Sequence, residues 1–550
     1  MKKLLLPVLL ACSLATAPAA TAVAQTACPT APAATVISGN ITQNTTLTSS
    51  NIYLLSGFVY VKAGATLTIQ PGTIIKGEKS TKGALIIEQG AKIIADGTAA
   101  RPIVFTSNEP AGSRARGDWG GLIICGRAPV NLSGTPIIEG GVGSTYGGTD
   151  ANDNSGILRY VRIEFPGIAF QPNSEINGLT LGGVGAGTTI DYVQVYASGD
   201  DSFEWFGGTV NAKHLVAVST TDDDFDTDNG YSGKVQYGLI VRTPTVGDVS
   251  GSTAFESDND SGGSTNTPQT SPVFSNVTAL LRTPIGASAN FTRAMHLRRN
   301  TAISIFNTVL SGWPTGLTLD GTGAQGNAGS GKLVLKNNVM ANMTTNFELA
   351  GATYDVAGFW NAAANANTLY TNAADLGLNT DNFNSTGICT NAACVPSFEL
   401  PAASPLRTGG AFTDAKLADS FFDKTATFRG AFGTSNWTAG WTNFNPQTTC
   451  YNIVGQTLAT KPANDQVQSL SVAPNPTAGE ALLSFELKRA DVATIRVTDA
   501  VGRAVARIEV GRLGAGLQQV ALPASLQNGV YLATVTTNET SQTVRFVVAK

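Results

Sequence analysis

Short runs in which Val, Ile and Leu alternate with Thr, Asn and Asp recur from about Thr35 to Thr380, each bounded by Gly, Asn or Asp. Alternation at period two over four to eight residues is the pattern of half-buried strands, and Gly or Asn marks the corners between them. The runs also repeat. LTIQPGTIIKG (Leu67 to Gly77) returns eighteen residues later as LIIEQGAKIIADG (Leu85 to Gly97), which predicts one turn stacked on the next. YVQVYASGDDSFEWFGG (Tyr192 to Gly208) aligns without a gap to HLVAVSTTDDDFDTDNG (His214 to Gly230), an offset of twenty-two. YGLIVRTP (Tyr237 to Pro244) recurs as VTALLRTP (Val277 to Pro284), and ISIFNTVLSG (Ile303 to Gly312) as LVLKNNVMAN (Leu333 to Asn342).

Short strands, Gly or Asn corners and a period that stretches through insertions describe a solenoid. The expected fold is all-β, a right-handed parallel β-helix of about a dozen coils. Each rung would be about 4.8 Å high, giving a rod of roughly 60 Å. Insertions such as Gly247 to Pro272 are expected to leave as loops, and the aromatic segment Phe421 to Phe444 to cap the last coil, because an open end exposes unpaired strand edges.

From about Ser469 to Lys550 the alternation changes character: APNPT, FELKRADVATIRVTDAVGR, NGVYLATV and TVRFVVAK read as short antiparallel strands of a small β-sandwich. These pieces resemble the type A C-terminal sorting domain of the type IX secretion system, through Pro474, Asn475, Pro476, Gly529, Tyr531 and the terminal Lys550. The resemblance implies export by that machinery, through the periplasm, to the outer-membrane surface or the medium. The start of the chain agrees. Lys2 and Lys3 precede an apolar stretch and Ala22-Val23-Ala24, which predicts a signal peptide over residues 1–24. A lipoprotein signal ending at Cys12 is the alternative. Residues 25–454 then form the passenger, with its cap over about 396–454, followed by a polar linker at 455–468 and the sorting domain at 469–550. Within the passenger, GALIIEQGAKIIADGTAARPIVFTSN, GDWGGLIICGRAPVN and SFFDKTATFRGAFGTSNWTAGWTNF resemble a group of secreted bacterial, pectate-lyase-like β-helix proteins. Those motifs mark fold and not chemistry.

Composition supports an all-β chain: 60 Gly, 24 Pro, 4 Met and 13% charged residues leave little helix-forming material. The formal charge of −4 becomes −6 without Lys2 and Lys3, which argues against nucleic acid as a partner. No stretch after the signal is apolar enough for a membrane helix. Of six cysteines, Cys389 and Cys394 lie close enough for a local disulfide, Cys125 sits in an apolar run as a buried thiol, and Cys28 and Cys450 could pair with each other. No spacing resembles a zinc site.

Charge is concentrated in one place. Between Gly199 and Asp260 twelve acids face three bases. The twenty-two-residue register predicts that Asp200, Asp201 and Glu204 lie beside Asp222, Asp223 and Asp226 on the next coil, where like charges repel unless compensated. A divalent cation is the natural compensator, since Ca²⁺ accepts six to eight oxygen ligands. Asp224-x-Asp226-x-Asp228-x-Gly230 places three carboxylates at period two before a bend, and Glu256-x-Asp258-x-Asp260-x-Gly262 and Asp150-x-Asn152-x-Asn154-x-Gly156 repeat the spacing. The candidate metal ligands are therefore Asp200, Asp201, Asp222, Asp223, Asp224, Asp226, Asp228, Asp258 and Asp260. A solvated wall whose Asp and Asn cap corners is the other reading.

Trp205, directly after the first acid row, is a candidate glycan contact. Catalysis meets a shortage of the usual residues. SGDDSF (Ser198 to Phe203) resembles the paired aspartates of pectin hydrolases on this fold, but their His and Arg/Lys motifs are missing, and His214 aligns with Tyr192, far from the acids. A Ca²⁺-dependent polysaccharide lyase would need an Arg or Lys base, for which Arg242 is the first candidate and Arg282, Arg298 and Arg299 the others. The expectation is a surface or secreted β-helix that serves adhesion or glycan binding with a Ca²⁺-stabilised acidic wall; the alternative is a pectate-type lyase.

Overall fold

The computed structural model describes residues 28–171, 174–281, 288–350, 354–379, 396–455, 467–499, 503–537 and 541–550. The signal peptide, most of the linker, Arg282 and the Cys389/Cys394 pair lie outside them.

The passenger is a parallel β-helix with three walls. One wall, called here the acidic wall, stacks Ala84–Ile87, Leu122–Cys125, Leu179–Val184, Phe203–Gly208, Phe225–Asp228, Phe255–Ser257, Arg293–Leu297, Thr315–Asp320 and Thr345–Ala350, every neighbour parallel. The other two walls share long strands such as Gly156–Glu164, Thr189–Tyr196, Asn211–Val218 and Lys234–Arg242. Each of these bends where a non-glycine residue takes a left-handed conformation: Tyr160, Tyr192, His214 and Tyr237, with φ of 50°, 54°, 51° and 66°. Such residues cost about 1 kcal/mol or more apiece. Their rings stack in return, with centroids 4.4, 4.1 and 5.1 Å apart along the series. His214, with Nδ1 2.7 Å from Asp191, is thus a corner residue.

The register over the acid rows is the one the sequence indicated, with Phe203 opposite Phe225 and Glu204 opposite Asp226. The repeat over Ile303 to Asn342 also pairs at its own offset, Ser304 opposite Val334. Other expectations fail. Gly247 to Pro272 does not leave wholly as a loop, since its strand Phe255–Ser257 pairs on both sides as a rung of the acidic wall. The eighteen-residue repeat does not stack: Leu67 pairs with Thr45 and Ile93, while Ile87 pairs with Val61 and Ile124. Its two copies are successive strand-turn-strand corners of the winding, alike because Gly72 and Gly90 both turn at φ near 80°. The copy beginning at Tyr237 pairs one place off, Gly238 rather than Tyr237 lying opposite Val277. This sets Ile240 beside Ala279, both packed in the central core, and a slip of one would reverse the faces.

The aromatic segment is not a cap on the last coil. Residues 396–455 run back along one wall from its last coils to its first. Leu400 and Leu406 pack on Val309 and Val339, and Phe398, Phe432 and Trp441 on Val216, Val218, Leu239 and Val241. Side-chain amides along the wall hold the strap's backbone: Gln236 and Gln194 accept from the N–H of Asp423 (2.7 Å) and Asn443 (2.8 Å), and Asn307 from that of Ala411 (2.9 Å). At the far end the Tyr451 hydroxyl donates to buried Glu164 (2.7 Å), and Cys450 is bonded to Cys28 (S–S 2.00 Å). The apolar face of that wall, rather than the open end of the rod, is what the aromatic residues cover. Cys125 is a buried free thiol.

Residues 467–550 fold separately, as a three-stranded and a four-stranded antiparallel sheet around a common core. The Asn475 side chain accepts from the Val547 N–H (2.9 Å), the Tyr531 hydroxyl donates to Gln527 O (2.9 Å), and the Lys550 N–H donates to the Asn528 side chain (2.7 Å). Asn475 of Pro474-Asn475-Pro476 thus bonds the strand Ser541–Val548, which pairs with the strand Gly529–Thr537 carrying Tyr531. Among the described residues no helix is long and apolar enough to cross a membrane.

Candidate functional site

Inward positions of the acidic wall are apolar, with Phe203, Trp205, Phe225, Phe255, Met295 and Leu297 all in the central core. The intervening positions form a polar ladder, Thr180, Glu204, Asp226, Glu256, His296, Thr318 and Glu348, each opposite the next. At the corner before this wall a second ladder runs through Asn177, Asp201 and Asp223. The Asp201 N–H donates to the Asn177 side chain (3.3 Å), and the Asp223 N–H to the Asp201 carboxylate (2.7 Å).

The two ladders bring carboxylates together. Asp200, Asp201 and Asp222 form one group and Asp201, Glu204 and Asp226 another; within each, one oxygen per residue lies within 4.8 Å of the others. Asp201 belongs to both. Among the described residues no Lys or Arg makes an ion pair with any of these five, and one oxygen of Asp226 is buried without a hydrogen-bond partner. Burial first, and neighbouring carboxylates second, hold Asp200, Asp201, Glu204, Asp223 and Asp226 well above the usual carboxylate range. Burial likewise pushes Asp222 up to about 6 and Asp228 up to about 7. Groups in that condition either retain protons or gather a cation.

The remaining candidates are differently placed. Asp224 does not converge with Asp226 and Asp228: it is fully buried and receives Arg242 Nε at 2.7 Å. Arg242 is fully buried too, and its other donors go to the carbonyls of Thr220 (2.7 Å), Asp222 and Thr253 (2.8 Å). Walled in, with four of its five N–H groups committed, it cannot serve as a base toward a substrate. Asp258 lies between Arg298 (2.9 Å) and Arg299 (2.8 Å), and Asp260 accepts from the N–H groups of Gly262 and Ser264, both 3.0 Å, closing a turn. Asp150 and Asn154 close turns in the same way. Carboxylates hold the Arg298 pKa up, the opposite of what a general base needs. Trp205 is withdrawn as a glycan contact: it is 0% exposed and stacks on Tyr231 at 5.3 Å inside the coil.

Sequence reasoning missed three residues. Asn177 donates to both Glu204 and Glu139; its place could have been found by aligning Asn177-Gly-Leu179 with Asp201-Ser-Phe203. His296 sits between Glu256 (3.3 Å) and Asp320 (3.2 Å), and an offset of forty from Glu256 would have located it. Glu139 arrives from an insertion whose sequence carries no register signal.

Three parallel walls wound around an apolar core, followed by an independent antiparallel sandwich, define a β-helix protein with a C-terminal export domain. The model of the pectate-lyase like beta helix domain matches residues 39–392, and the chain belongs to that family. The secretion system C-terminal sorting domain model matches residues 471–549; this tail marks a secreted surface protein, addressed by the type IX machinery to the cell surface or the extracellular space. Among solved structures, full-length tailspike protein 2 from Escherichia coli O157:H7 bacteriophage CAB120 is similar at 12% identity and a TM-score of 0.20, covering 91% of this chain. The chain spans 65% of that protein's length. No curated protein matches the chain.

Proposed function

We propose that this exported β-helix binds glycan at the cell surface, as an adhesin, and that Ca²⁺ holds its acidic wall together. The observation that carries the proposal is the pair of carboxylate triads joined at Asp201, with, among the described residues, no base in ion-pair contact and one buried oxygen of Asp226 without a donor. The donor set is of the right kind: hard oxygen ligands, several of them ionisable, from two adjacent coils. Asp201 together with Asp200 and Asp222, or together with Glu204 and Asp226, would hold the ion. When bound, Ca²⁺ supplies charge neutralisation and open coordination positions for sugar oxygens. The protein's own part is to fix the carboxylates on a rigid ladder and, among the described residues, to bring no Lys or Arg into ion-pair contact with them. A lyase would need a base among the arginines, and Arg242, Arg298 and Arg299 are all engaged with carboxylates.

The reading is tested by retention of the full chain on surfaces coated with neutral and acidic polysaccharides, in Ca²⁺ and in EDTA. Retention that EDTA abolishes is the expected result; absence of retention under both conditions rejects glycan binding. Clean retention of one polysaccharide together with ultraviolet-absorbing unsaturated products would instead favour a lyase.

A further inference from the structure

Beyond the metal-ligand cluster the same wall carries a cavity of about 320 Å³, bounded by Gly262, Gly263, Arg298, Arg299, Asn300, Asp320 and the three residues that follow it. The acids near it are already answered. Glu256 is in contact with Arg298 and His296, Asp258 with Arg298 and Arg299, and Asp320 with His296. Two guanidiniums and the His296 imidazole thus contact three carboxylates, one of which, Asp320, itself lines the cavity.

What is left over is hydrogen-bond donors. A guanidinium carries five N–H groups. Arg299, 42% exposed, commits Nη1 to Asp258, and Arg298 commits Nε and Nη2, so both keep donors where they line the cavity. Asp320 precedes the helix Gly321–Gly329 without capping it through its side chain, and Thr322 and Gly323 of that first turn also line the cavity. Arg299 and Asn300 are consecutive left-handed residues, at φ of 43° and 65°. Gln269 and Asn327 donate to the Asn300 carbonyl, at 2.8 and 3.0 Å, which fixes this costly turn and with it the backbone that carries the arginine. Donors without acceptors call for an oxygen-rich anion, and the planar fork of an arginine matches one in two-point contact.

We propose that this cavity binds an oxyanion, a carboxylate or a sulfate, carried on the glycan. The inference rests on the glycan-binding reading for the carrier alone; the anion site itself is independent of the metal. The test is calorimetric titration of the full chain with sodium glucuronate, sodium sulfate and, as the neutral control, glucose, each in EDTA and again in Ca²⁺. Two variants accompany it. Arg299→Gln removes the half-exposed guanidinium. Gly262→Phe fills the cavity from an exposed position that does not require a positive φ and leaves every charge in place. Binding of glucuronate, sulfate or both, with glucose inert and each variant weaker by about tenfold or more, is the expected result; whichever anion binds names the source. The proposal is overturned if neither anion binds the native chain, if both variants bind as it does, or if glucose binds equally. Binding that appears only with Ca²⁺ and survives both substitutions would place the anion on the ion, rejecting this inference and leaving the metal reading intact.

Discussion

Two stretches of one wall, built by the same stacking rule, solve the problem of buried charge in opposite ways. Glu204 and Asp226 stand directly opposite each other with Asp201 alongside and, among the described residues, no base in ion-pair contact. One rung farther on, Glu256 stands opposite His296, and Arg298 and Arg299 close on Glu256 and Asp258. Both stretches are largely buried, so burial does not separate them. The difference lies in which residues the next coil contributes. A parallel solenoid copies charge from rung to rung by register, and compensation must come from a neighbouring rung or from solution. The unanswered stretch is therefore where the proposed Ca²⁺ would sit.

The largest effect is expected at a pair buried on both sides. Replacing Arg242 by Met leaves Asp224 as an uncompensated buried carboxylate and should cost about 3–5 kcal/mol, read from denaturant unfolding. A loss below about 1 kcal/mol would show that the pair is not what holds that corner. Next, the two stretches should respond to neutralisation with opposite signs. Glu256→Gln removes the partner of Arg298 and His296 and should destabilise by about 2 kcal/mol. Asp226→Asn in EDTA at pH 8 should stabilise, because it removes a carboxylate that burial and neighbouring acids hold well above the usual range. Equal signs would erase the distinction drawn here.

The smallest effect is a pH slope. Asp222 is held at about 6 and Asp228 at about 7, above the values of an unfolded carboxylate. Between those limits the native state keeps protons that the unfolded chain has lost, so stability without metal is greatest near pH 4 and falls as the pH rises through about 6 to 7. Thermal melts in EDTA should follow that course, and Ca²⁺ should raise the melting temperature at pH 8 far more than at pH 4.5. A melting temperature in EDTA that climbs from pH 5 to pH 8 would contradict it.

How far the molecule could be read in advance depended on how local each signal was. The twenty-two-residue register was legible because it runs without a gap and is anchored by Phe203 and Phe225 in the core. The eighteen-residue repeat misled because a strand-turn-strand corner has its own sequence signature, independent of what lies above it. The strap was legible as aromatic and ordered, but its partners, such as Gln194 for Asn443 and Glu164 for Tyr451, are some 250 to 290 residues away. Composition cannot assign contacts at that range. Asp224, Asp258 and Asp260 looked equivalent to Asp226 in spacing, and only the arrival of Arg242, Arg298, Arg299 and the Ser264 turn separates them. Trp205 is a different case: it stands two residues after Phe203, so period two already places it on the same inward face, where the structure buries both.

The central claim concerns Asp201, Glu204 and Asp226 with the acids around them. It is tested most directly by calorimetric titration of Ca²⁺ into the native full chain and into its Asp226→Asn variant, both at pH 8. Saturable binding by the native chain, lost or weakened by about tenfold or more in the variant, is the predicted outcome. Absence of binding to the native chain, or identical binding by the two, would contradict it.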